Sequence, residues 1–177
     1  MPRYRIDDPD AAHYLTFSCH QRRLLFLNPT LCYLFLEKLH DARTKLNFQL
    51  LAYVIMPNHV HLLLLPGSIP MKKIMYHVKQ PFSYHAGLYY KENYPRLHRA
   101  LSVKRGLKWS FRFWLAGGGF DRLLYTNDDI QKRIRYTHRN PLRWGITENP
   151  EMYPWSSFHA YSNKSGKPIP VDRPVWL

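Results

Sequence analysis

At 177 residues and 21.2 kDa the chain is long enough to bury a real core and short enough to be one unit. Apolar residues at 45% and aromatics at 15% exclude a disordered tail. Lys and Arg number 26 against 12 Asp and Glu; the resulting +14 points to a polyanionic partner, nucleic acid first, and no apolar run approaches a bilayer span.

The opening residues lack the apolar core of a secretory signal, so a cytoplasmic, nucleoid-associated location is expected. Cys19 and Cys32 lie in no ligand spacing and read as reduced, partly buried thiols. Residues His13 to Cys19 alternate in polarity and predict a first strand, with Arg22 and Arg23 just after it. Leu31, Leu34, Phe35, Leu39, Ala42 and Leu46 step by three and four, the stripe of an amphipathic helix that Thr30 would cap. Two apolar runs, Phe48–Met56 and His59–Leu65, are split by Pro57-Asn58 and predict a hairpin.

Ser68 to about Tyr94 has a helical pattern that Pro81 should kink or break. Tyr94 to Arg112 carries Arg96, Arg99, Lys104, Arg105, Lys108 and Arg112 with little periodicity and predicts a basic loop. Trp109 to Trp114 alternates again, a strand ended by the glycines 117–119, where the backbone can turn or approach a neighbour closely. Asn127 should cap a last helix with Ile130, Ile134 and Thr137 inward, and Pro141 should end it. From Thr147 a proline-containing extension offers the anchors Tyr153, Trp155, Phe158 and Tyr161; residues 1–146 would be the catalytic domain and 147–177 an extension packed on it. Strand, helix, hairpin, helix, strand, helix predicts an α+β, ferredoxin-like sandwich: an antiparallel sheet with helices on one face.

Residues two apart on a strand project to one face, so His59 and His61 can present two imidazoles together where a buried strand meets its exposed start. Alone, a His-x-His pair is more often a solvated strand face than a metal site. On the last helix Tyr136 and Asn140 are four apart and share a face; Asn140 can offer an amide oxygen as a third ligand and Tyr136 a phenolic oxygen near a bound phosphate. Two imidazoles and an amide, with no thiolate, suit Mg²⁺ or Mn²⁺ acting on a polyanion better than structural zinc. Taken singly, Tyr136 would be a packing residue and Asn140 a helix cap.

The set Met56-Pro-Asn-His-Val-His-Leu-Leu63, Tyr136-Thr-His-Arg-Asn-Pro-Leu-Arg-Trp-Gly145 and Pro154-Trp-Ser-Ser-Phe-His-Ala-Tyr161, with the Met1-Pro-Arg-Tyr-Arg5 opening, resembles the IS200-like Y1 transposases, in particular the REP-associated tyrosine transposases. The resemblance spans nearly the whole chain. It implies a ferredoxin-like HUH nuclease with Mg²⁺ or Mn²⁺ on His59 and His61, Asn140 completing the metal set and Tyr136 as nucleophile. It also implies single-stranded or hairpin DNA cut and rejoined through a 5′-phosphotyrosine; the long tail after Trp144 favours a monomer over a homodimer. Phe120 stands where some relatives have Tyr or His, and is expected to pack; residues 85–108 look longer than in compact relatives.

Tyr125 is the rival nucleophile, without a polar partner one turn on. Arg133 or His138 could help activate the tyrosine, as could the metal. Arg22, Arg23, Arg133 and the Arg96–Arg112 cluster would contact phosphates; Trp109 and Trp114 are expected in the core, with stacking on unpaired bases as the other reading. The competing classes are a non-catalytic hairpin-binding protein, an RNA-binding domain of similar layout, and a metal hydrolase that uses water.

Overall fold

The computed structural model describes residues 7–117, 119–162 and 169–174, with the side chain of Arg105 outside that description; the opening motif at 1–5 and Gly118 also lie outside it. Strand β1 (Ala12–Ser18) leads through two short 3-10 turns to helix α1 (Pro29–Leu46). The hairpin β2 (Gln49–Met56) and β3 (His59–Leu65) follows, then helix α2 (Met71–Asn93). Helix α3 (Pro95–Ala100) precedes a second hairpin, β4 (Ser102–Arg105) and β5 (Lys108–Phe111). The last parts are β6 (Phe120–Leu124), α4 (Asn127–His138), α5 (Asn140–Arg143) and α6 (Phe158–Tyr161).

The main sheet has the order β2-β3-β1-β6 with every neighbour antiparallel. With α1 and α2 as its connections this is the expected ferredoxin-like α+β arrangement. Strand alternation divides the side chains between two faces. Leu15, Phe17, Val60, Leu62 and Leu64 join Leu31, Phe35 and Leu39 of α1 and Ile74, Val78 and Phe82 of α2 in the large core. Each such side chain contributes about 1.5–3 kcal/mol on burial. Tyr14, Leu63 and Leu124 point the other way and pack against Ile130 and Ile134 of α4. The helical layer foreseen for one face is therefore α1 with α2, and α4 adds a cover on the other.

Several local expectations are corrected. Asn28, not Thr30, caps α1, its side chain accepting from the Thr30 amide at 3.0 Å with Pro29 at the first helical position. Thr126, not Asn127, caps α4 by accepting from the Asp129 amide at 3.1 Å. Pro81 sits inside an α2 that continues through it. The basic stretch is no loop: it folds as α3 and the β4–β5 ribbon, whose strands, among the described residues, pair only with each other. The strand expected at 109–114 is therefore split. Its first half belongs to the ribbon, while Trp114 makes one bridge to Cys19. The fourth strand of the sheet is β6, which pairs with β1 from Ala12↔Leu124 to Thr16↔Phe120. Pro141 lies inside the short helix α5; α4 has already ended at His138. Trp114 is buried as expected, whereas Trp109 is 69% exposed.

The glycine run works by close approach to the chain itself. Gly119 has φ +76, and a Cβ there would stand 2.4 Å from the Thr16 carbonyl oxygen. Only glycine brings β6 in beside β1 at this point. The segment after α5 lies along β2: the Ile55 amide donates to the Trp155 carbonyl at 2.9 Å and the Ser157 amide to the Tyr53 carbonyl at 3.0 Å. Further on, the Asp172 amide donates to the Leu50 carbonyl at 2.8 Å.

Candidate active site

Antiparallel pairing sets Ser18 opposite His59 and Thr16 opposite His61. Thr16 and Tyr14 therefore share the histidines' face. The Tyr14 hydroxyl lies 2.7 Å and the Thr16 hydroxyl 2.8 Å from His61 Nδ1, and the Tyr14 ring stacks on the imidazole at 5.4 Å. His59 Nδ1 is 2.6 Å from the Asn58 side-chain oxygen, an acceptor that calls for the proton on Nδ1. With both Nδ1 atoms engaged, the two Nε2 atoms converge at 3.0 Å. Neighbouring ligands about 2.1 Å from one cation and at right angles to it are separated by about this distance.

Both imidazoles are nearly buried, at 8% and 6% exposure. Burial lowers the pKa of His59 to about 4, with help from the Arg22 charge. Burial, then His59 and Arg133, lowers that of His61 to about 3. Neutral imidazoles with fixed Nδ1 partners are the form that ligates metal. Burial holds the Tyr14 hydroxyl protonated, with a pKa near 12. The donor set thus fits a divalent ion on His59 and His61. Among the described residues no group of three or more His, Cys, Asp or Glu could hold a metal. Asn140, the third ligand expected from the sequence, is 2% exposed, and its Nδ2 donates to the Tyr136 carbonyl at 2.9 Å, leaving Oδ1 as its acceptor.

Helix α4 brings Tyr136 over this face, its ring 6.2 Å from Tyr14 and 6.4 Å from His61. The Arg133 guanidinium stands 4.5 Å from the Tyr14 ring centre and 5.0 Å from that of Tyr136. A second guanidinium, Arg143 of α5, is 4.9 Å from the Tyr136 ring. Exposed aromatics flank the group: Trp144 is 5.5 Å from His59 and Phe120 meets Tyr14 edge-on at 6.4 Å. Phe120 is 45% exposed, so it is a rim residue more than the packing residue expected.

Arg22 approaches from the loop after β1. Gln21 and Arg22 both have φ 54, a left-handed backbone that costs a non-glycine residue about 1–3 kcal/mol. The loop is tied to the turn before His59, the Cys19 amide donating to the Asn58 carbonyl at 2.8 Å and the Phe26 amide to the Pro57 carbonyl at 2.9 Å. Arg23 and Arg112 act on the neighbouring His20.

Two of the expected participants lie elsewhere. His138 is buried with its Nε2 2.9 Å from the Ser157 hydroxyl and its ring against Phe158 and Tyr161, so it faces the C-terminal segment. Tyr125 follows Leu124, opposite Ala12, at the far end of β1 from the histidines, and bonds Asp8. Arg96, Arg99, Lys104 and Lys108 lie on α3 and the ribbon; the side chain of Arg105 is outside the described residues.

Sequence reasoning did not find Tyr14, Thr16, Asn58, Arg143 or Trp144. The β1 register against β3, which no local pattern encodes, was needed for Tyr14 and Thr16. Asn58 was visible as the neighbour of His59.

The antiparallel ferredoxin-like sheet thus carries the paired histidines at one end, with the helix of Tyr136 laid across them. The model of the IS200-like transposase family matches residues 11–128, and the chain belongs to that family. The match includes His59 and His61 and stops short of Tyr136 and Asn140. Among solved structures, a REP-associated tyrosine transposase bound to a REP hairpin superposes with a TM-score of 0.70 at 18% identity, covering 99% of this chain and 93% of that one. A Deinococcus radiodurans R1 protein assigned as a transposase gives 0.45 at 19% identity, over 79% of this chain and 97% of its own. No curated protein matches the sequence. No helix among the described residues is long and apolar enough to cross a membrane.

Proposed function

We propose that this IS200-like transposase is a metal-dependent single-stranded DNA endonuclease and strand transferase that cuts and rejoins DNA beside hairpins through a 5′-phosphotyrosine on Tyr136. The observation that carries the reading is the convergence of His59 and His61 Nε2 at 3.0 Å beneath Tyr136, whose ring lies between Arg133 and Arg143. His59 and His61 would hold Mg²⁺ or Mn²⁺ and Asn140 Oδ1 would complete the protein ligands. The ion, when bound, supplies Lewis-acid charge stabilisation at the phosphate. Tyr14, Thr16 and Asn58 keep the two imidazoles oriented.

In the reaction the Tyr136 oxygen forms a bond to phosphorus as the bond to the departing 3′-oxygen breaks. The phenolic proton is lost and the 3′-oxygen gains one, leaving a free 3′-hydroxyl. Arg133 and Arg143 stabilise negative charge shared between the phosphate and phenolic oxygens. Because the phosphodiester bond energy is kept, a second 3′-hydroxyl can reverse the step onto a new strand. Arg22 and Arg23, with Arg112 and the cations of α3 and the ribbon, would guide the phosphate backbone. The hairpin carried by the REP-associated relative supports a hairpin substrate here. The covering of β2 by the C-terminal segment supports a monomer, and residues 147–177 acting as an extension of a catalytic domain over 1–146.

The test is incubation with 5′- and 3′-labelled hairpin oligonucleotides and Mn²⁺ on a denaturing gel. The expected result is label retained on protein, lost in Tyr136→Phe and lost in His59→Ala. Cleavage that survives Tyr136→Phe without an adduct makes the protein a metal hydrolase that uses water. Tight binding with no cleavage makes it a non-catalytic hairpin-binding protein.

A further inference from the structure

The end of α2, the helix α3 and the β4–β5 ribbon border an open cavity of about 630 Å³, lined by Lys91, Pro95, His98, Arg99, Ser102 and Trp109. No carboxylate lines it. Between residues 91 and 112 the sequence places Lys91, Arg96, Arg99, Lys104, Arg105, Lys108 and Arg112 against Glu92 alone. A charged surface loop would need no cavity and no exposed indole, yet Trp109 presents 69% of its surface at the mouth. The opposing wall is fixed: the His98 ring stacks on Phe111 at 5.1 Å with an interplanar angle of 8°, and the Ser102 hydroxyl donates to the His98 carbonyl at 2.9 Å. Phe111 in turn packs on Gly87 of α2, where a Cβ would come within 3.0 Å of the ring. Partial burial and the Lys91 charge hold His98 below its usual pKa, which leaves a neutral ring surface.

The cavity is also joined to the catalytic end of the sheet. The end of α2 meets the loop after β1, its Tyr89 hydroxyl accepting from Asn28 at 2.9 Å, and that loop is tied to the turn before His59 by the Phe26 amide and the Pro57 carbonyl. Around that end lie Arg22, acting on His59, and Arg23 and Arg112, acting on His20. The Arg112 amide donates to the Leu101 carbonyl at 2.8 Å, beside Ser102 of the cavity wall. A strand with one phosphate at the histidines would follow these guanidiniums round the edge of the sheet to the cavity.

We propose that this cavity is a second DNA site, resting on the DNA-processing reading above: it takes one nucleotide of the unpaired strand, with the base on the Trp109 indole and its phosphate between Lys91 and Arg99. Positive groups for the backbone and an aromatic face for the base are the two elements that sequence-tolerant single-strand binding requires. The size of the cavity suits a single nucleotide more than a duplex.

The experiment is fluorescence anisotropy of the full chain, in EDTA to prevent cutting, with a labelled hairpin oligonucleotide bearing single-stranded arms. A matched set carries one abasic site moved along the arms. At one arm position base removal should weaken binding about 10-fold, Trp109→Ala should weaken the intact oligonucleotide equally, and the two losses should not add. Trp109→Phe should retain most of the affinity, and Lys91→Ala and Arg99→Ala should each lower the salt slope by about one. Losses that add at every position, or Trp109→Ala binding like the parent, overturn the site while leaving the DNA reading intact. Competition by free dAMP as effective as DNA would make it a small-molecule site and overturn it as well. Failure to bind any oligonucleotide removes the DNA reading and this inference together.

Discussion

The two faces of the β2-β3-β1-β6 sheet take alternate residues of the same strands to different ends. On one face Val60, Leu62 and Leu64 enter a dry core with α1 and α2, where almost any close-packed set of apolar side chains of the right volume would serve. On the other, His59 and His61 lie one residue away along the strand. There each polar atom has an assigned partner: Tyr14 and Thr16 for one imidazole, Asn58 for the other. The buried face gives β3 its rigidity and the opposite face uses it. An imidazole pair on a loop would not keep two nitrogens converged, whereas one fixed in register between β1 and β2 has little freedom to spread.

That contrast can be broken from either side. The largest effect should come from Leu62→Ala, which removes a fully buried side chain between the histidine strand and its helices and should cost about 2–5 kcal/mol of stability in denaturant unfolding. The folded fraction should still bind Mn²⁺ normally, since the lesion lies on the other face. Tyr14→Phe should do the reverse. Calorimetric titration should show Mn²⁺ affinity reduced about 10-fold, the lower end of such effects because Thr16 still holds Nδ1, with stability little changed. A Tyr14→Phe protein that binds Mn²⁺ like the parent would mean the hydroxyl does not orient His61.

Gly119→Ala tests whether the faces are coupled through β1. Its Cβ would collide with the Thr16 carbonyl, so a loss of about 1–3 kcal/mol is expected, together with weaker metal binding as Thr16 shifts beneath His61. The smallest effect concerns pH. Burial lowers the His138 pKa to about 4, against about 6.5 unfolded, so the unfolded chain takes up the proton first as pH falls. Its contribution to stability is intact above about pH 6.5 and is lost as the pH drops toward 4. His138→Gln keeps a partner for Ser157 without titrating, and should flatten this part of the curve in unfolding series at several pH values.

Much of this was legible because strong periodicities cannot be satisfied in two ways. The Phe48–Leu65 hairpin and the Leu31–Leu46 stripe have no alternative solution that buries the same side chains, and the His-x-His spacing on a strand already fixed a shared face. Other features depended on distant partners. β6 reads Phe-Asp-Arg-Leu-Leu, too short and too charged to announce an edge strand, and it becomes one only because Gly119 lets it approach Thr16. The ribbon was half hidden: alternation from Trp109 announced its second strand, but Ser-Val-Lys-Arg is too short and too polar to announce the first. Arg143 could not be placed beside Tyr136 until the break between α4 and α5 set the angle at which the chain returns.

The C-terminal segment has a consequence for assembly. By bonding to Leu50, Tyr53 and Ile55 it occupies the outer rail of β2 with the chain's own backbone. Among the described residues β6 has a strand partner on one side only, which leaves it as the single rail through which another copy could extend the sheet. Growth of this sheet by strand addition would therefore terminate after one step, at a closed pair.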